Sequence, residues 1–195
     1  MTPRIEPGSR SDIGLINTGI AHVLGAATGG RPPNLFTTLA RHRGIYRKWL
    51  RFAGALMPGG KLPRDESEIV ILRVAHNTKC EYEWRHHERL GAQAGLSAEE
   101  IERVKVGPDA DWSERRAALL RATDELHADR RISDAVWAEL RPRYTDEELI
   151  EFCLLVGHYE MLAMTLNSLE IEPDEPHTGK PTLPMRIAGA VASRR

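Results

Sequence analysis

Four side chains able to move protons or do thiol chemistry fall close together: Glu68, Cys80, Glu83 and His87, within the run ESEIVILRVAHNTKCEYEWRHH (Glu66–His87). A thiol, an imidazole and two carboxylates are the reagents of general acid–base and nucleophilic catalysis. Cys80 and His87 are seven residues apart, two helical turns, so they share a face, and Glu83 sits between them near it. Glu68 lies twelve residues before Cys80, about a third of a turn off that face on a straight helix. It reaches the others only if the chain bends, and Asn77-Thr78-Lys79 is the expected break, because Asn and Thr compete for local backbone bonds. A helix restarting there places Cys80 in its first turn, where free N–H groups and the macrodipole favour a thiolate. A carboxylate at Glu83 opposes that by raising the thiol pKa.

Each residue has a plainer reading beside the chemical one. Cys80 is a nucleophile or a small buried hydrophobe. His87 is a proton donor and acceptor or a satisfied core histidine. Glu68 faces water, or is buried and becomes a useful base through desolvation. Glu83 accepts a proton, orients a histidine or holds a cation, or is an exposed structural residue. His86, about 100° round the helix, reads as solvated or interfacial. Tyr82 and Trp84 wall a pocket or fill the core. His158 and Tyr159, on the last helix, are candidates to face the same cavity, and Cys153 there reads as core. His76, Cys80, Glu83 and His87 also follow i, i+4, i+7, i+11. Four ligands in a row spanning about 16 Å on one helix cannot wrap a tetrahedral ion, so no metal is expected.

The elements that must position these groups are helices. No run alternates with period two long enough to argue a strand. Residues 1–12 look like an arm, and Ile13–Gly30, free of Asp, Glu, Lys and Arg, reads as a helix packing on the core or on a neighbouring subunit. It loosely resembles a signal peptide, but Asp12 stands where a positive lead-in belongs. Leu35–Met57 has helical periodicity and stops at Pro58-Gly59-Gly60. A helix is expected from Pro63–Asp65 to His76, and the next from Lys79 or Cys80 to Gly95. Ser97–Glu100 and Thr145–Glu148 are capping boxes, and Ser133 caps a short helix. The last helix, to about Ser168, is apolar nearly all round, which places it in the core or at a subunit interface. The expected organisation is an N-terminal arm and helix over 1–34, a helical domain over 35–170, and a Pro-rich tail over 171–195 that runs extended.

The chain has 195 residues, enough for one domain with a real core, and its 41% hydrophobic and 28% charged residues fit a soluble globular protein. Its formal net charge is −1, with acids and bases interleaved, so neither nucleic acid nor a membrane is an expected partner. Two cysteines make no disulfide framework, and a reducing cytoplasm is the default compartment.

The spacing of Glu68, Cys80 and His87 resembles the carboxymuconolactone decarboxylase and alkylhydroperoxidase-D-like family. Its peroxidase branch carries Glu, eleven residues, Cys, two residues, Cys, three residues, His. Here Glu83 replaces the second Cys, and the likeness covers roughly residues 35 to 170. It implies an all-α antiparallel helical bundle, assembled as a dimer, trimer or hexamer. Three functions follow as expectations. The first is cofactor-free acid–base chemistry, decarboxylation or a related proton transfer, on a small carboxylated or lactone-type molecule, with Glu68 relaying protons to Cys80 or His87. The second is one-cysteine reduction of hydroperoxides, with an external thiol reducing the Cys80 sulfenic acid. The third is a non-catalytic oligomeric ligand-binding protein.

Overall fold

The computed structural model describes residues 2–28 and 31–174. It is all-α: α1 (Arg10–Thr28), α2 (Asn34–Leu39), α3 (Arg43–Leu56), α4 (Arg64–Asn77), α5 (Glu81–Gln93), α6 (Ala98–Val106), α7 (Glu114–Asp129), α8 (Asp134–Leu140) and α9 (Asp146–Leu169). Described residues up to Ala53 and from Leu166 onward form one compact unit, and Gly54–Thr165 form a second.

In the first unit, α1 begins at Arg10, earlier than the sequence suggests, because Asp12 Oδ2 accepts from Ser9 N at 2.8 Å and Ser9 Oγ at 2.6 Å. Gly14, at φ 80°, breaks the helix after its first turn. The single helix expected over Leu35–Met57 is two. At the end of α2 the bonds tighten to i→i+3, Arg41 N to Thr38 O and His42 N to Leu39 O, and α3 restarts at Arg43. Ile13, Ala40 and Tyr46 form the centre of this unit's core. The Pro-rich tail expected to run extended lies, from residue 175 on, outside the described residues.

The second unit carries every candidate reactive residue. α4 packs against α5, α6 and α7. Ile69, Leu72, Leu96, Ile101, Val104 and Leu120 form an apolar cluster among these helices. α4 is buried from Glu66 through Leu72, which explains its apolar run Ile69–Leu72. Local chemistry sets the helix starts as the sequence indicates. Ser97 Oγ accepts from Glu100 N while Glu100 Oε2 accepts from Ser97 N, and Thr145 with Glu148 repeats the exchange at the start of α9. Ser133 Oγ accepts from Val136 N. α9 is long and apolar enough to cross a membrane by length and composition, and its Phe152, Leu155, Val156, Leu162 and Ala163 are buried within the protein.

Candidate active site between helices α4, α5 and α9

The bend between α4 and α5 brings Glu68 to the thiol end of the motif. Thr78 ends α4, Lys79 turns left-handed at φ 53°, and Cys80 caps α5. Lys79 N donates to His76 O at 3.1 Å and Cys80 N to Ala75 O at 2.9 Å. That crossed pair is the Schellman arrangement, which satisfies the last carbonyls of α4. It is made here without glycine.

Glu68, Cys80, Glu83 and His87 are all buried. Glu68 Oε2 lies 2.7 Å from His87 Nδ1. Its Oε1 lies 2.5 Å from Arg64 Nη2, one turn earlier on α4, an ion-pair contact whose angles are not those of a hydrogen bond. With Nδ1 turned to a carboxylate, the neutral imidazole keeps its lone pair on Nε2. Tyr159 stands edge-on to the His87 ring at 5.0 Å, and His158 lies 5.2 Å from Tyr159. Burial, then the charges of Glu68 and Glu83, pushes the Tyr159 phenol well up, so it serves as a neutral wall. Burial, then His87, pulls His158 down to about 4.

Glu83 contrasts with Glu68. Its side-chain partner is the Cys80 thiol rather than a cation, and it is 2% exposed. Burial holds it well above the ordinary carboxylate range; the Cys80 thiol pulls it back and the charge of Glu160 pushes it further up. Cys80 departs from the expected thiolate. Burial and then Glu83 push its thiol up to about 12, against the downward pull of the Glu83 and Tyr82 backbone amides at the start of α5. Desolvation therefore outweighs the helix terminus.

Tyr82 is buried and stacks on His86 at 6.4 Å. His86, expected to be solvated or interfacial, is half-buried; burial, then His87, Arg89 and Arg64, holds it down to about 3. Trp84 packs on the apolar cluster, with Lys105 Nζ 4.6 Å above its ring and His76 at its edge. Among the described residues no three His, Cys, Asp or Glu side chains are arranged to hold a metal.

Four contributors go unread in the sequence. Arg64 stands four residues before Glu68, a spacing that does signal a helical ion pair. Glu160 is the one acid in the apolar middle of α9, and it is buried with His127 Nδ1 at 2.6 Å and Arg130 Nη1 at 3.2 Å. His127 and Arg130 come from α7 and its end, a long-range pairing with no local signal.

Residues 43–125 match the carboxymuconolactone decarboxylase family model. No curated protein matches the chain. Among solved structures, the chain is similar to an alkylhydroperoxidase core, a peroxidase-related protein from Ralstonia eutropha JMP134. The TM-score is 0.79 at 20% identity, covering 89% of this chain and 93% of that one. A peroxidase-related protein from Silicibacter sp. TM1040 gives a TM-score of 0.77 at 17% identity, covering 93% and 99%. The apo debrominase Bmp8 gives 0.72 at 13% identity, covering 96% and 97%. At such identities the structures speak for the fold. Residues 43–125 are thus similar to the carboxymuconolactone decarboxylase family, and the chain has the alkylhydroperoxidase-D-like all-α fold.

Proposed function

We propose that this protein is a cofactor-free acid–base enzyme acting on a small carboxylated or lactone-type molecule, by decarboxylation or a related proton transfer. The observation that carries this reading is the contrast between two buried glutamates. Glu68 is held by Arg64 and His87, whereas Glu83 meets the Cys80 thiol and has a strongly raised pKa. Environments that separate two carboxyl groups in this way assign a base and an acid. In the proton-transfer case His87, oriented by Glu68, takes a proton from substrate carbon at Nε2 and afterwards releases it to solvent; in decarboxylation the bond to CO₂ breaks instead. Protonated Glu83 gives one to carbon. Loss of CO₂ leaves an enolate, and a nearby neutral acid both stabilises it and quenches it. Solvent returns the proton to Glu83. Cys80 then acts as a neutral thiol beside Glu83. Both cysteines are free, in keeping with a reducing cytoplasm.

The test is proton exchange and CO₂ release from a panel of carboxylated lactones in D₂O, followed by NMR. Activity is expected to disappear in His87→Gln and to survive, within about tenfold, in Cys80→Ala.

A second reading, one-cysteine hydroperoxide reduction, is favoured by the amides of Tyr82 and Glu83 that pull the Cys80 pKa down and by the likeness to peroxidase-related structures. Cys80 would attack the peroxide and an external thiol would reduce the sulfenic acid. A thiol held at about 12 weighs against it. Hydroperoxide consumption lost in Cys80→Ser, with no proton exchange by the wild type, would replace the first reading with this one.

A further inference from the structure

The near-neutral total charge conceals an uneven division. Residues 1–64 hold ten Lys and Arg against Glu6 and Asp12, a net of +8, and no acid falls between Ile13 and Arg64. Residues 65–195 carry the balancing −9, with 17 Lys and Arg against 26 acids. The excess comes to the surface on α3. Tyr46, Trp49 and Leu50 turn into the core of the first unit. That leaves Arg47, Lys48 and Arg51 exposed, within about 100° of arc, and exposed Ile45 and Phe52 flank them. The ion pairs of residues 1–64 fall on Arg4, Arg41, Lys61 and Arg64, and among the described residues none reaches Arg47, Lys48 or Arg51.

α1, in the same unit, presents an apolar stripe. Leu15 and Ile16 are each 67% exposed and Val23 71%. With Gly19 and His22 they fill an outward stripe that holds no Asp, Glu, Lys or Arg. The two helices are fastened at their starts. Arg43 Nη2 donates to Ser11 O at 3.1 Å and to Asp12 O at 2.8 Å, and a Cβ at Gly14 would lie 3.3 Å from Arg43 Cζ. The apolar and cationic stripes therefore begin within about a turn of one junction. Cations that hold phosphate headgroups, beside an uncharged apolar helix, are the parts of a peripheral membrane anchor. We propose that the first unit docks on the anionic surface of a lipid bilayer. Leu15, Ile16 and Val23 of α1 enter the headgroup–acyl boundary while Arg47, Lys48 and Arg51 of α3 hold the headgroups. A second copy fits this face poorly, because a two-fold contact would bring the like charges of α3 together. Nucleic acid would use the cations and leave the apolar stripe in water. Docking uses none of the reactive residues, which all belong to the second unit.

The experiment sediments the full chain with lipid vesicles. The protein is expected to pellet with phosphatidylcholine vesicles containing about 30% phosphatidylserine and to stay in solution with phosphatidylcholine alone. Raising NaCl from about 0.05 to about 0.5 M is expected to release it. Each cation at an anionic surface is worth about fivefold in binding, so Arg47→Gln, Lys48→Gln and Arg51→Gln combined are expected to weaken it about a hundredfold. Ile16→Asp is expected to lose binding with unchanged helical circular dichroism. Arg131→Gln, which removes an exposed cation of the second unit, is expected to change nothing. Absence of binding at low salt, equal binding to neutral vesicles, or indifference to the triple variant or to Ile16→Asp would each overturn the proposal. So would a self-assembly that Ile16→Asp dissociates while vesicle binding persists, or duplex DNA bound as tightly as the anionic vesicles and indifferent to Ile16→Asp.

Discussion

Glu68 and His87, nineteen residues apart on separate helices, meet in the interior with Oε2 and Nδ1 at 2.7 Å. The contact exists because α4 ends in a left-handed turn at Lys79 that redirects the chain at Cys80. It fixes the imidazole tautomer, and a carboxylate that held no histidine would be a buried charge facing Arg64 alone. Glu68→Ala is expected to destabilise the fold by about 3 kcal/mol, since it leaves His87 and Arg64 without their partner. Urea unfolding of the two proteins at neutral pH measures it.

The turn itself carries strain that the sequence does not relieve. Lys79 is exposed and holds φ at 53°, where a Cβ costs about 1 kcal/mol. Lys79→Gly is expected to stabilise the protein by about 0.5 kcal/mol once the added freedom of the unfolded chain is subtracted. A fall in the denaturation midpoint would show that the lysine makes a contact worth more than the strain.

Cys80 is expected to be almost inert while the protein is folded. With its pKa near 12, about one part in 100,000 is thiolate at neutral pH, against a few per cent for a free thiol. Iodoacetamide labelling read by mass spectrometry at pH 7 is expected to leave Cys80 unmodified for hours and to modify it rapidly in denaturant.

Two buried groups shape the pH dependence of stability in opposite senses. His158 has a folded pKa of about 4 against an ordinary 6.5. The unfolded chain therefore binds its proton first, and stability falls as pH drops from about 6.5 toward 4. The full effect is about 3 kcal/mol, and His158→Gln is expected to flatten this acid limb. Glu83 is raised from 4.5, so the folded state holds its proton longer, and stability declines as pH rises from about 4.5 through the folded pKa. Glu83→Gln is expected to gain on the wild type steadily over that range. Denaturation series at several pH values separate the two.

Much of this arrangement is written locally. Ser97 with Glu100 and Thr145 with Glu148 are legible because a capping box spans four residues. The Asn77-Thr78-Lys79 break is legible because those residues favour helix ends. The heptad of Cys80 and His87 is likewise a local fact. Burial is not local. The protonation of Cys80 follows from desolvation and from Glu83, and no helix-terminus argument weighs these without the packing. The same holds for His86, half-buried although its angle on α5 points away from His87, and for Glu160, whose partners His127 and Arg130 lie some thirty residues earlier in the chain. The division of Leu35–Met57 into α2 and α3 comes from a tightened turn that periodicity does not register.

The proposed chemistry requires that Glu83 be a neutral acid at working pH, and infrared spectroscopy reads that directly. The wild type near pH 7 is expected to show the carbonyl stretch of a protonated carboxylic acid, absent in Glu83→Gln. In Glu160→Gln, which removes a neighbouring negative charge, the band is expected to titrate away at lower pH. A wild type with no such band at neutral pH, or a band that survives in Glu83→Gln, would contradict the assignment of Glu83 as the proton donor.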